Sequence, residues 1–99
     1  MYANYEDQFE QWLTTKTPLR PSTVYNYLWA IPIITNFIVQ NSLYDKAIFE
    51  IDSSEEAKQV LKLLKENKDF LEINEKGHGA CFAGLNQYIK FLQYRERRQ

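Results

Sequence analysis

The segment Gly79–Leu92, GACFAGLNQYIKFL, is the longest helix-patterned run in the chain, and it has a clear boundary on each side. A glycine–histidine–glycine tripeptide precedes it, and a charged tail follows it. Its apolar residues recur at helical spacing and so share one face: Cys81, Leu85, Tyr88, Ile89 and Leu92. The pattern predicts a long helix from about Gly79 to Arg95. The rest of the chain must cover this face, and we expect the second helix to pack against it.

Length and composition favour one helical domain. The chain of 99 residues is long enough for one hydrophobic core, so a single domain over residues 1–99 is predicted. Seven Tyr, six Phe and two Trp can fill a small core. Three Gly and three Pro are few for the turns of a hairpin-rich β fold. We therefore predict an all-α fold, a compact orthogonal bundle of four to five helices.

The first helix is predicted from Asn4 to about Thr15. Its apolar stripe has the spacing of one buried helix face: Tyr5, Phe9, Trp12 and Leu13. Residues 14–21, TTKTPLRP, contain two prolines and three threonines and are predicted to connect the first helix to the second.

The second helix is predicted to begin at the N-cap Ser22 and to run to about Asn41. It is apolar on more than one side, which is typical of a central helix. Pro32 removes one backbone hydrogen bond from its middle, so a kink is expected. Two shorter helices, residues 23–30 and 33–40, are the alternative.

The middle of the chain predicts a connector and a third helix. Residues 47–52, AIFEID, are expected to form an extended or single-turn connector that places Ile48 and Ile51 in the core. Ser53 and Glu56 have the spacing of a capping box. The helix they begin should bury Ala57, Val60, Leu61 and Leu64 and expose Lys58, Lys62 and Lys65. Residues 67–76 are polar and are expected to hold one helical turn, anchored by Phe70, Leu71 and Ile73.

These patterns together predict which side chains form the core. The predicted core residues are Phe9, Trp12, Leu13, Val24, Leu28, Ile31, Ile48, Ile51, Leu61, Leu64, Leu85, Ile89 and Leu92. Gly77 is expected to permit the turn before the last helix, and Gly84 to allow close approach of a neighbouring helix.

The residue types that carry most enzyme chemistry are scarce. His78 is the only histidine and Cys81 the only cysteine, and neither has a recognisable set of metal ligands or catalytic partners nearby in the sequence. His78 is therefore interpreted as part of a turn and Cys81 as a small core residue. We predict no enzymatic activity, no cofactor and no metal site.

Basic residues are the most prominent surface feature. They fall in three clusters: Lys16 and Arg20 in the first linker; Lys58, Lys62 and Lys65 on the third helix; Lys90, Arg95, Arg97 and Arg98 at the end of the last helix. Placed together, such residues can contact a phosphate backbone. Acidic residues lie between these basic residues in the sequence. On spacing alone, an ordinary solvated surface is therefore a better interpretation than a phosphate-binding site. The net charge of −1 argues against a strongly basic nucleic-acid binder but leaves a locally basic face open.

An ordered series of motifs runs through the chain. It comprises Phe9-x-x-Trp12-Leu13, a threonine and proline linker, Ser22-Thr23-Val24-x-x-Tyr27, Ile48-x-x-Ile51, a lysine-rich helix, and Gly77-His78 followed by Leu85-x-x-Tyr88-x-x-Phe91-Leu92. Over roughly residues 5–94 this order resembles the helical N-terminal module that precedes nuclease domains in some bacterial restriction-type endonucleases. It is more distantly similar to the N-terminal core-binding, SAM-like domain of tyrosine recombinases and phage integrases.

The resemblance implies a SAM-like bundle that clamps DNA while a separate domain performs catalysis. The matching positions are Lys16, Arg20 and Thr23 in and after the linker, and Asn86 and Lys90 on the last helix. With the arginines that follow, the predicted DNA-binding residues are Lys16, Arg20, Thr23, Asn86, Lys90, Arg95, Arg97 and Arg98. The chain departs from the family because it is slightly acidic, whereas DNA clamps are usually basic. Its charged end, residues 94–99, is typical of a domain boundary, which favours the N-terminal domain of a longer protein with a catalytic domain after it.

Two functional hypotheses follow. The first is a non-catalytic, auxiliary DNA-binding module of a bacterial DNA-processing protein, of the restriction nuclease or integrase type. The alternative is a protein-interaction or dimerisation module that does not bind nucleic acid, with exposed aromatic residues at the interface; its candidates are Tyr2, Tyr25, Trp29, Tyr44 and Tyr94. A single cysteine, no apolar run of roughly 20 residues and an acidic N-terminus predict a cytoplasmic protein without a membrane partner.

Overall fold

The computed structural model describes residues 4–98, and these form five α-helices and no strand. The helices are α1 (Glu6–Lys16), α2 (Pro21–Gln40), α3 (Ser54–Lys65), α4 (Lys68–Lys76) and α5 (Ala80–Arg97). A single 3₁₀ turn, Ile48–Glu50, joins the region after α2 to α3. The predicted all-α bundle is confirmed, and α2 and α5 form its most extensive helix–helix contact, as expected.

The start of α2 differs from the prediction. The helix begins at Pro21, so the N-cap is Arg20 and not Ser22. Proline suits the first helical position, because its fixed φ is already helical and the amide hydrogen it lacks would have no partner there. The Arg20 carbonyl accepts hydrogen bonds from the amides of Thr23 and Val24 (both 3.0 Å). The helix continues through Pro32, which is exposed, so the alternative of two shorter helices is wrong.

Side-chain caps set the start of α3 and α4. The Ser53 hydroxyl accepts a hydrogen bond from the Glu56 amide at 3.3 Å, which confirms Ser53 as the N-cap. The Glu56 carboxylate pairs instead with Lys46 at 3.2 Å, so the reciprocal half of the predicted capping box is replaced by an ion pair. The Asn67 side chain caps α4 by accepting from the Phe70 amide at 3.0 Å. With this cap, α4 extends over nine residues and not the single turn expected.

The turn between α4 and α5 has a left-handed backbone at two successive residues. His78 has φ 56° and Gly79 has φ 81°, whereas Gly77 has an ordinary φ of −88°. The positive φ favours glycine at Gly79, whereas Gly77 has a φ that any residue can adopt, so the role predicted for Gly77 was wrong. The Asn74 side chain reaches over this turn and accepts from the Phe82 amide at 2.9 Å, which satisfies a donor in the first turn of α5.

The core lies between α2 and α5 and is closed by α1, α3, α4 and the 3₁₀ turn. The buried face predicted for α5 is confirmed and extends to Phe91, and the connector places Ile48 and Ile51 in the core as expected. Two predicted core residues, Trp12 and Leu28, are only partly buried. Leu71, expected as an anchor, is 42% exposed. Core residues outside the predicted core set include Ala30, Ile34, Ile38 and Phe49, whereas Phe70 and Tyr88 are buried as their predicted roles as an anchor and as part of the α5 face require.

A close approach of α2 and α5 fixes the centre of the molecule. A Cβ atom at Gly84 would lie 3.3 Å from the Ala30 Cβ and 3.3 Å from the Tyr27 carbonyl oxygen. The predicted role of Gly84 in helix packing is therefore confirmed. Near this contact, the buried hydroxyl of Tyr88 donates to the Ile51 carbonyl at 2.8 Å and ties α5 to the connector.

Candidate functional site

A groove of about 490 Å³ runs between α1 and the C-terminal half of α5. Its walls combine cationic, aromatic and amide or hydroxyl side chains: Lys16, Arg95, Arg98, Trp12, Phe91, Tyr94, Gln8, Gln11 and Thr15. Among residues 4–98, no carboxylate lines it. We call it the cationic groove.

Aromatic packing between the two helices builds the floor of the groove. The Trp12 ring on α1 packs against Phe91 and Tyr94 of α5, with centroids 6.1 Å and 6.4 Å apart. Phe91 and Tyr94 are three residues apart and so neighbour each other on one side of the helix. The apolar rings hold α1 and α5 together and leave long polar side chains to form the rim.

The cations of the groove are held by aromatic rings. The Arg95 guanidinium lies 4.3 Å from the centre of the Tyr5 ring. Lys16 and Arg98 approach the Tyr94 ring at 6.0 Å and 5.5 Å, and Arg98 also donates to the Tyr94 hydroxyl at 3.2 Å. A cation–π contact orients a cation but leaves its full charge. These three side chains therefore keep their positive charge facing the groove.

The ion pairs of the described chain lie elsewhere. They join Lys46 to Glu56, Lys58 to Glu55 and Lys76 to Glu72. Glu96, the only acid in the run Arg95–Arg98, is turned towards α3. Its carboxylate accepts from the Ser54 amide at 2.9 Å and from the Ser54 hydroxyl at 2.6 Å. The negative charge of this run thus lies at the N-terminus of α3, away from the groove.

The contact of Glu96 with Ser54 predicts a pH effect. The two hydrogen bonds from Ser54 lower the pKa of Glu96 from its ordinary value of 4.5. Because the pKa is lower in the folded state, the contact stabilises the protein above pH 4.5, and this contribution is lost as the pH falls through the lowered value. We expect Glu96→Gln to be slightly less stable than the parent chain near neutral pH. The difference should shrink in urea titrations at acidic pH. Glu66→Gln, at another exposed glutamate, controls for the loss of one charge, and a difference that grows on acidification would contradict the assignment.

Trp12 contributes an unused hydrogen-bond donor beside the groove. Its Nε1 atom is buried and has no acceptor among the described residues. Buried indole N–H groups usually find a partner, because leaving a donor unpaired is unfavourable. The Trp12 side chain also lines the groove.

The structure brings together only part of the predicted DNA-binding set. Lys16, Arg95 and Arg98 line the cationic groove. Lys90 continues it, because Lys90, Tyr94 and Arg98 follow one another at four-residue spacing along α5. Asn86 and Arg97 are exposed and lie on the same side of α5 as Lys90.

The other two predicted residues are placed differently. Arg20 is exposed just before α2, and no contact joins it to the groove. Thr23 is half-buried and lines a second groove. Sequence reasoning missed the groove positions of Trp12 and Tyr94. The sequence signal that could have indicated these positions is the aromatic residues that lie close to basic residues near the C-terminal ends of α1 and α5.

The second groove, of about 510 Å³, lies between α2 and the turn before α5. We call it the apolar groove. Both His78 and Cys81 line it, without any carboxylate from residues 4–98. Cys81 is buried, and burial raises the pKa of its thiol, which disfavours the nucleophilic thiolate. Within the described part of the chain, no three His, Cys, Asp or Glu side chains are placed to hold a metal ion.

The aromatic residues of the alternative hypothesis are divided between surface and core. Tyr25 and Trp29 are exposed, whereas Tyr44 and Tyr94 are partly buried. Tyr2 lies outside the described residues.

Comparison of the chain with protein-family models, curated proteins and solved structures finds no match in any of the three. From residue 4 to residue 98, no helix has both the length and the apolar character that crossing a bilayer requires.

Proposed function

We propose that the protein is a non-catalytic DNA-binding module whose cationic groove contacts the phosphate backbone. The observation that carries the proposal is the concentration of Lys16, Arg95 and Arg98 around one groove that no carboxylate of residues 4–98 lines, in a chain whose net charge is −1. A uniform charge distribution would not produce such a site. The local field, and not the total charge, determines where a polyanion binds.

The composition of the groove suits nucleic acid. Phosphate oxygens accept from lysine and arginine, and glutamine and threonine side chains add neutral donors. Gln8 and Gln11 supply such donors on the same helix as Lys16, whereas the Thr15 hydroxyl already donates to the Gln11 carbonyl at 2.7 Å. Lys90 and Arg97, exposed on the adjoining face of α5, extend the cationic surface beyond the groove. Lys16, Arg95 and Arg98 thus offer three phosphate contacts at the groove, and Lys90 and Arg97 offer up to two more on the adjoining side of α5.

The ordered sequence motifs supply the context of the proposal. Their resemblance to the modules of restriction-type endonucleases and integrases supports a bacterial, cytoplasmic DNA-processing protein. In such a protein a separate domain, C-terminal to this one, would perform the catalysis. The module would then hold DNA in position and need no cofactor.

A salt titration with paired variants tests the proposal. Binding of a fluorescent DNA duplex to the parent chain should weaken about 40- to 500-fold between 50 and 200 mM salt if three to five phosphates are contacted. Lys16→Gln combined with Arg98→Gln should reduce the slope of log K against log salt by about 2. The matched control is Lys62→Gln combined with Lys65→Gln. It removes the same charge from exposed positions on α3 and should leave the slope unchanged.

Two outcomes would refute the proposal. One is no measurable binding of the parent chain at low salt. The other is an equal loss of affinity in both double variants, which would indicate a general charge effect and no defined site. Parallel titrations with single-stranded DNA and with duplex RNA decide between nucleic-acid types, and tighter binding of either would reassign the ligand.

A further inference from the structure

The exposed face of α2 carries no charge. No Asp, Glu, Lys, Arg or His occurs between Pro21 and Tyr44, although α2 has a fully solvated side. Three large side chains form a row along this side at four-residue spacing: Tyr25 (59% exposed), Trp29 (56%) and Ile33 (45%). Pro32, Asn36 and Val39 (53% exposed) lie on the same side of the helix. We call this side the α2 face.

Such a surface is unusual for a solvated helix. The outward side of a helix on a globular protein is normally charged or polar. A scarcity of charged residues together with an enrichment in Tyr and Trp is characteristic of the buried centre of a protein interface. The Tyr25 and Trp29 rings already pack edge to face, with centroids 6.1 Å apart, which restricts both side chains before any partner binds.

The apolar groove adjoins the α2 face. Trp29 and Ile33 belong to both, while Ile73, His78 and Cys81 form the opposite wall of the groove. The surface thus offers a protruding indole next to a recess large enough for an aromatic side chain. A surface that carries both a projection and a recess can be complementary to itself.

We propose that the α2 face is the interface of a homodimer, in which Trp29 of each copy docks into the apolar groove of the other. The absence of charge and the combination of a projection with a recess both favour a second copy as the occupant. In an interface with two-fold symmetry the same patch lies on both sides, so a charged patch meets like charges near the axis. A face without any charge avoids this repulsion and also the cost of burying an ion.

The size of the face indicates a weak dimer. A 20-residue helix is about 30 Å long and about 10 Å wide, so α2 alone offers a footprint of about 300 Å². A standard stable interface buries about 800 Å² on each partner. Docking of Trp29 into the groove enlarges the contact, but the interface remains at the small end. We therefore expect the dimer to have a dissociation constant in the micromolar range or higher.

The α2 face and the cationic groove have no lining residue in common. Dimerisation thus leaves the cationic groove of each copy accessible. The homodimer does not depend on the proposed DNA binding, and either can be tested without the other.

Sedimentation equilibrium from about 10 μM to about 1 mM tests the dimer. The average mass of the parent chain should rise with concentration towards twice the monomer mass. Trp29→Glu places two like charges in the interface and should keep the chain monomeric throughout. Leu63→Glu is the matched control, because it adds the same charge at an exposed apolar residue on α3 and should still dimerise.

Circular dichroism of both variants checks that the fold is retained, which the exposure of Trp29 and Leu63 leads us to expect. A parent chain that stays monomeric up to about 1 mM would overturn the proposal. So would a Trp29→Glu variant that dimerises as well as the parent chain. If both Trp29→Glu and Leu63→Glu failed to dimerise, the effect would not be specific to the α2 face, and this result would also overturn the proposal.

Discussion

Phe9→Ala is expected to lower the free energy of unfolding by about 3–5 kcal/mol, the largest effect we predict for a single side chain. Phe9 is completely buried. Its ring packs edge to face on Tyr88 at 5.2 Å and contacts Phe91 at 5.6 Å and Phe49 at 6.2 Å between centroids. Truncation opens a cavity among three large rings that cannot all move to fill it.

Urea unfolding followed by circular dichroism measures this loss. Small domains have unfolding free energies of about 5–15 kcal/mol, so the variant should be close to unfolding at 37 °C. Phe9→Leu keeps most of the volume and should lose clearly less. Leu63→Ala truncates an exposed apolar residue and should change stability by no more than about 0.5 kcal/mol. Equal losses in Phe9→Ala and Leu63→Ala would show that α1 does not close the core.

Gly84→Leu is expected to destabilise the protein by about 3 kcal/mol through steric conflict. A Cβ atom at this position would lie 3.3 Å from the Tyr27 carbonyl oxygen. This oxygen belongs to the backbone of α2 and cannot rotate away. The added isobutyl group must therefore push α2 and α5 apart along their shared contact. This separation would loosen the packing of every side chain between them.

Gly84→Ala separates the steric effect from helix propensity. Alanine gains about 1 kcal/mol over glycine within a helix, which should offset most of the tight contact of its methyl group. We expect Gly84→Ala to lie within about 1 kcal/mol of the parent chain in the same unfolding assay. If Gly84→Leu proved as stable as Gly84→Ala, the close packing of α2 on α5 would be contradicted.

The elements with strong local signals were predictable from the sequence. Helix α3 has a serine N-cap and apolar residues at regular spacing, and the buried face of α5 follows one clear stripe. Helix α2 was harder because it is apolar on more than one side. Its pattern could not decide between Leu28, which is partly buried, and Ile34, which is buried completely. Only the position of α5 selects the inner side.

The remaining errors also have physical causes. Helix α4 was underestimated because its stability derives from the Asn67 cap and from Phe70 packing on Phe37 at 5.0 Å, and the latter contact is not local in sequence. Pro32 did not divide α2, since its ring projects into solvent and packing on both sides of it maintains the helix.

The sequence predicted most of the basic residues of the candidate site but not how they are arranged in space. Its basic residues are evident in the sequence. Lys16 and Arg98 line the same groove, however, only because Trp12 of α1 packs against Phe91 and Tyr94 of α5. No spacing rule predicts that contact. Thr23 and Arg20 were grouped with Lys16 because they are close in sequence, whereas the start of α2 directs Thr23 to the apolar groove.

The packing of Gly84 against Tyr27 and Ala30 also has a consequence for biosynthesis. The two sides of this contact are separated by more than half of the described chain, so α2 is made long before α5. At ribosomal rates of about 5–20 residues per second, roughly 3–11 s pass between completion of the two helices. During this interval the inner face of α2, with Ile31, Ile34 and Ile38, lacks α5, the helix with which it makes its most extensive contact. This uncharged helix therefore stays partly uncovered until α5 emerges.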